Sequence, residues 1–294
     1  MNTKSIHSKA VLVELNISCW TPVVPDVSAT ADLHSLLQAG SEAGQYVKNL
    51  LPKAAFAPLR NLSQRIRRWH YELTLPWSDG GSRILPAMLQ GKYADEFRDY
   101  AHQYRGVVDQ QFSAESYEYY KDQQRHKLGR MFNPTQYPSI EAVRSKYGIR
   151  VRYSPLPKSD DFRTHLGDNL PSSRVDGMAQ TLDERLESLG KESSEEINSR
   201  LRAQLQHFTR TLKEYGKDDG KNRRLHASLL ENLRELCDLI PGLNVFEDPV
   251  IEQARSEVVA RITQRDIETL RDDEEMRKEV VADADEILKS LGLA

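Results

Sequence analysis

Few side chains in this sequence stand at the spacings that chemistry requires. The most unusual run is Trp77-Ser78-Asp79-Gly80-Gly81-Ser82-Arg83, a carboxylate beside two glycines with an indole and a guanidinium at its ends. Such a run can form a binding loop around exposed backbone. It equally fits a tight turn in which Asp79 bonds its own backbone. A further acid and base, Asp161 and Arg163, follow the Pro155–Pro157 segment. Trp77, Asp79, Arg83, Asp161 and Arg163 are therefore grouped as one candidate binding loop. An enzymatic reading would draw its site from the four charged members.

A second candidate is electrostatic. Arg60, Arg67 and Arg68 recur at helical spacing, close to the aromatic run Trp69-His70-Tyr71, and Tyr117-Glu118-Tyr119-Tyr120 repeats the mixture downstream. Rings interleaved with cations suit single-stranded nucleic acid, where bases stack on the rings and Arg or Lys meets phosphate. A solvated helix face is the competing reading. Trp69 falls on an apolar stripe and is expected in the core.

Other chemistries lack their residues. The only Gly pair, Gly80-Gly81, is not followed by Lys and Ser or Thr, so no phosphate-cradling loop exists; Gly-x-Ser-x-Gly and His-Glu-x-x-His are absent. Cys19 and Cys237 stand alone, without a Cys-x-x-Cys pair, and the eight histidines are scattered. No catalytic residue, metal site or cofactor is expected.

The elements that would position these residues follow from periodicity. Val11, Val13, Leu15 and Ile17 alternate as in a strand, and so do Ile149, Val151 and Tyr153. A short third strand is expected at 160–166. Short helices are expected at 28–38 and 41–51. Ala55, Leu59, Leu62, Ile66, Trp69 and Leu73 step by four and three, one apolar face of a helix whose other face carries Arg60, Gln64, Arg67, Arg68 and Tyr71. Residues 74–83 read as a turn. From Ile84 to about Leu128 the pattern is helical, with Ser113 as an N-cap, and a short helix at 139–147 ends at Gly148. The stripe from Val175 to Tyr215 is helical but weakened at Gly190 and Ser193-Ser194; if continuous, it makes one helix of roughly 60 Å at about 1.5 Å per residue. So long a helix needs partners along its length, from a second copy in coiled-coil fashion or from the C-terminal helices. Helices at 225–240, stopped by Pro241-Gly242, at Pro249 after the N-cap Asp248, and around Met276–Leu291 follow. The fold expected is α+β and predominantly helical, with a small antiparallel sheet in a helix-rich part at 1–167 and a long helical region at 168–294.

The 294 residues carry a net charge of -3, divided unevenly. Residues 46–158 hold 19 Lys and Arg against 10 Asp and Glu, whereas the last 48 residues hold 7 against 14. A basic middle and an acidic tail favour different partners. A mean hydropathy of -0.64 and the lack of any eighteen-residue apolar run argue against a membrane span. Met1–Lys9 is polar and no apolar h-region follows, so no secretory leader is expected.

The order of several short pieces resembles an uncharacterised family of tailed bacteriophages and bacterial mobile elements. These pieces are Leu15-Asn16-Ile17-Ser18-Cys19-Trp20, Ala39-Gly40, Lys48-Asn49-Leu50-Leu51-Pro52, Arg68 to Trp77, Asp79-Gly80 and Arg83-Ile84-Leu85-Pro86. Tyr137-Pro138-Ser139, Pro155-Leu156-Pro157, Asp161-Phe162-Arg163 and Leu239 to Asn244 complete them. The sequence departs from that pattern at Trp20 to Val24, where the family is more basic. A more distant similarity is to proteins found near MoxR-type ATPases and von Willebrand factor A proteins. That distant similarity implies at most an adaptor in an ATPase system, and the long stripe with the absence of a catalytic constellation leads to the expectation of a non-enzymatic phage protein in the cytoplasm of an infected bacterial host. It would bind a phage or host protein, an ATPase among the candidates, and would form an oligomer. The alternative function is a nucleic-acid-binding accessory factor that uses residues 46–158.

Overall fold

In a computed structural model the described residues are 6–78, 81–158, 160–161, 170–215 and 224–292. The chain is α+β and predominantly helical, with a small antiparallel sheet of four strands and a separate two-stranded ribbon. It divides into two compact units, each assembled from separate stretches: residues 1–14, 73–91 and 153–294 form the first, and 15–72 and 92–152 the second. The boundary expected at 167/168 lies outside the described residues, and these units divide elsewhere.

After the one-turn helix α1 (Ile6–Lys9), β1 (Ala10–Ser18) carries the alternating run and lies inside the sheet β4-β5-β1-β6, with β4 at Leu75–Pro76, β5 at Ser82–Pro86 and β6 at Gly148–Ser154. Its Leu12 faces Ile84 of β5, which in turn faces Leu75 of β4. The expectation of helix from Ile84 is thus corrected. Ile84 and Leu85 are wholly buried strand residues, and a short apolar run buried on both faces has no period that separates strand from helix. Of the strand expected at 160–166, only Asp160 and Asp161 are described, and they are helical.

In the first unit, α7 (Ser172–Glu214) is one unbroken helix of 43 residues. Its stripe from Val175 through Leu189, Leu201 and Phe208 to Leu212 is buried. The cover comes from this chain: α8 (Ser228–Leu243), α9 (Pro249–Val258) and α11 (Glu274–Ser290) pack against it. α8 does not stop at Pro241-Gly242 as expected but runs through both. Its last turn lies so close to Leu89 that a Cβ on Gly242 would stand 2.9 Å from that side chain, which explains the glycine. α9 starts as read, with the Asp248 carboxylate accepting from the Val250 N–H. It continues as a π-helical turn, Val259–Thr263. α10 (Ile267–Asp272), not anticipated, precedes α11.

In the second unit, α3 (Ala57–Glu72) and α4 (Gln90–Gln111) meet through aromatic rings. Trp69 is 6% exposed, stacks on Tyr93 at 4.5 Å and leans on Tyr100 at 5.1 Å, so its expected core placement holds. α5 (Ala114–Leu128) is capped by Ser113 as expected, and α6 (Ile140–Arg144) is short. The helix expected at 41–51 is absent. β3 (Val47–Asn49) pairs there with β2 (Val23–Pro25), because Gly44 takes a backbone φ of 150° that breaks a helix and Val47 to Asn49 find a ladder partner. Between the two strands lies α2 (Val27–Leu37).

Candidate functional site

α2 is fixed by its polar groups. Asp26 caps its N-terminus: one carboxylate oxygen accepts from the Ala29 N–H at 3.0 Å and the other from Lys48 Nζ at 2.7 Å. These two donors, the Ala29 N–H first and Lys48 second, hold the Asp26 carboxyl below its ordinary range. Lys48, itself buried, also donates to the Met131 carbonyl at 2.5 Å. Asp26 N–H donates to the Tyr46 carbonyl, Tyr46 N–H donates to Thr30 Oγ1, both at 2.9 Å, and His34 Nε2 lies 2.8 Å from the Gly44 carbonyl oxygen. None of the eleven residues of α2 is buried. Val27, Leu36 and Leu37 are 81%, 79% and 64% exposed, and Leu33 joins them. Beside them lies a cleft of about 1070 Å³ lined by Val27, Leu33, Leu36, Tyr46, Met131 and Phe132, with the Asp26–Lys48 pair in its wall.

The three arginines read from the sequence do share one surface. Arg60, Arg67 and Arg68 are exposed on α3, opposite the buried Leu59, Leu62, Ile66 and Trp69. Among the described residues no carboxylate pairs with any of them. Arg65, on the flank of the same helix, donates to Gln103 Oε1 of α4 at 3.2 Å.

The Trp77–Arg83 loop is committed to the fold where it is described. Arg83 sits on β5 opposite Val13; its Nε donates to Thr74 Oγ1 at 2.7 Å and its Nη2 to the Thr74 carbonyl at 3.1 Å. The Trp77 carbonyl accepts from Arg185 Nη2 at 2.6 Å. Asp161 closes a turn, its carboxylate accepting from the Lys158 N–H at 2.8 Å. Asp79 and Arg163 lie outside the described residues. The guanidinium of Arg83 thus ties β5 to the entry of β4.

Both cysteines are free, Cys19 exposed and Cys237 buried. Burial pushes the Cys237 thiol up to about 12 against the opposing pull of Arg255, so it stays protonated near neutrality. Among the described residues no three His, Cys, Asp or Glu side chains gather around a metal-sized site, and no helix is long and apolar enough to cross a membrane.

Sequence reasoning placed α2 but missed its surface. The apolar period could not reveal it: Leu33, Leu36 and Leu37 stand at i, i+3 and i+4, which signals one helix side whether or not anything covers it. The Asp26–Lys48 pair carried no such signal, because its partners are joined by the ribbon and not by local spacing. The chain matches no protein-family model, no curated protein and no solved structure.

Proposed function

We propose that the protein is a non-enzymatic interaction protein that self-assembles, with α2 as the docking element and a second copy of the chain as its occupant. The observation that carries this reading is α2 itself: a helix anchored by hydrogen bonds at Asp26, Thr30 and His34 while its leucines and Val27 face outward. Exposed apolar surface gathered in one place marks an interaction site, whereas single scattered apolar residues do not. A twofold pairing suits this helix. Eleven residues span about 16 Å, enough to set Val27 of one copy against Leu37 of the next. Asp32 is its only Asp, Glu, Lys or Arg, so antiparallel pairing opposes no row of like charges. In the setting that the family resemblance implies, such an assembly would work in the cytoplasm of an infected bacterium, where an ATPase or another phage or host protein would be its client.

Sedimentation velocity over a concentration series tests the reading. The unmodified chain is expected to associate and the Leu36→Glu, Leu37→Glu variant to run as a monomer with unchanged helicity. An unmodified chain that stays monomeric at its highest soluble concentration overturns it. So does a double variant that associates as before, and so does a heterologous protein shown to hold α2 in place of a second copy.

A further inference from the structure

We infer that the outer face of α3 is a docking stripe for the phosphodiester backbone of single-stranded nucleic acid, a site separate from α2. Arg60, Gln64, Arg67, Arg68 and Tyr71 follow one another by four, three, one and three positions, which sets all five side chains on one side of the helix. All five are exposed, Tyr71 by 51%. The opposite side is locked by Leu59, Leu62, Ile66 and Trp69, so the helix that carries the stripe is fixed before a ligand arrives and only the side-chain torsions are left to be ordered.

Charge selects the occupant. Glu72, at the C-terminal end, is the only carboxylate in the sixteen residues of α3, against four arginines. The second unit as a whole carries 17 Lys and Arg against 12 Asp and Glu. Among the described residues Arg60, Arg67 and Arg68 carry no ion pair. A guanidinium that is always charged and presents a planar fork of donors matches phosphate oxygens two at a time. Arg60 and Arg68 are about 12 Å apart along the axis, a reach of several backbone charges on one strand.

The ring of Tyr71 separates single strands from duplex. It lies one turn beyond Arg67 and Arg68 on the same side. Exposed by half, and beside His70 at 5.8 Å, it stands within reach of a base that is not already stacked in a duplex. Gln64, between the arginines, adds a neutral donor and acceptor for phosphate or sugar. No element of the stripe reads base edges, so binding is expected to be indifferent to sequence.

The experiment is fluorescence anisotropy of the full chain with a labelled oligothymidylate of roughly 15 nucleotides, within the usual footprint of such surfaces. Three phosphate contacts predict a slope of log affinity against log salt near -2, at about -0.7 per contact. Arg60→Gln, Arg67→Gln, Arg68→Gln should flatten that slope toward zero and weaken binding at low salt. Tyr71→Ala should weaken binding about 5- to 100-fold while leaving the slope unchanged. Each variant is checked by its circular dichroism melt, and Arg→Lys at the three positions should restore the slope. Absence of binding at about 50 mM salt overturns the inference, as low salt is where such contacts are strongest. A triple Gln variant that binds as the parent does also overturns it, as does a preference for duplex over single strands.

Discussion

In the first unit arginine reaches inward. Arg271 donates twice to the Leu225 carbonyl, Arg234 to the carbonyls of Thr263 and Arg265, Arg277 to those of Leu270 and Arg271, and Arg202 to that of Leu291. Most of these carbonyls sit at or just past helix ends, where the backbone has run out of its own donors and the helix dipole is negative. Arg261, meanwhile, grips Asp283 and Glu286 of α11. On α3 of the second unit, Arg60, Arg67 and Arg68 do none of this, and Trp69, Tyr93 and Tyr100 hold the helix instead. Arg144 of the second unit clasps the Phe112 and Asp109 carbonyls in the same way, so the open charge is a property of α3 and not of its unit. Composition cannot tell the two uses apart; only what lies within reach of each guanidinium can.

The comparison breaks first at its aromatic side. If α3 is held by rings, Trp69→Ala should cost on the order of 3–5 kcal/mol, read by chemical denaturation. A loss below about 1 kcal/mol would show that the arginine-bearing helix is held by something else.

It sharpens at the guanidinium itself. Arg271→Ala strands the buried Leu225 carbonyl and should cost about 1.5–3 kcal/mol, whereas Arg68→Ala should stay within about 0.5 kcal/mol. Equal losses at the two positions would erase the distinction.

The smallest effect concerns pH. Asp26 has its carboxyl lowered by the Ala29 N–H and by Lys48. Its contribution is complete above the ordinary carboxylate value near 4 and is lost as pH falls through the depressed one. Asp26→Asn should therefore be less stable than the parent near neutrality and should converge with it in acid. A constant gap across the titration would count against the Asp26 charge as the anchor of α2.

How far these features were legible in the sequence depended on locality. The period of α3, the long run of α7 and the caps at Asp248 and Ser113 are set by neighbours within a few positions, and they were read at the right places. Ile84 and Leu85 were misread because pairing with Val11 and Leu12, more than seventy positions away, decides their state. Val47 was misread for the same reason, through Pro25. The site residues divide likewise: the exposure of Arg60, Arg67 and Arg68 followed from the stripe opposite them. The engagement of Arg83 with Thr74 depended on a hairpin that the apolar pattern had disguised as helix.

The interleaving of the two units sets an order of events during synthesis. Every residue of the second unit has been made once position 152 is passed, so its helices can close on each other while the rest is still being translated. The first unit has by then only its stretches 1–14 and 73–91, and Leu75 of β4 still waits for α7, which packs on that strand. At about 5–20 residues per second, the wait until α11 is complete lasts roughly 7–28 s. Through that interval the apolar edge at β4 stands without its helical cover on the nascent chain, so newly made protein is more open to aggregation and chaperone capture than the mature fold.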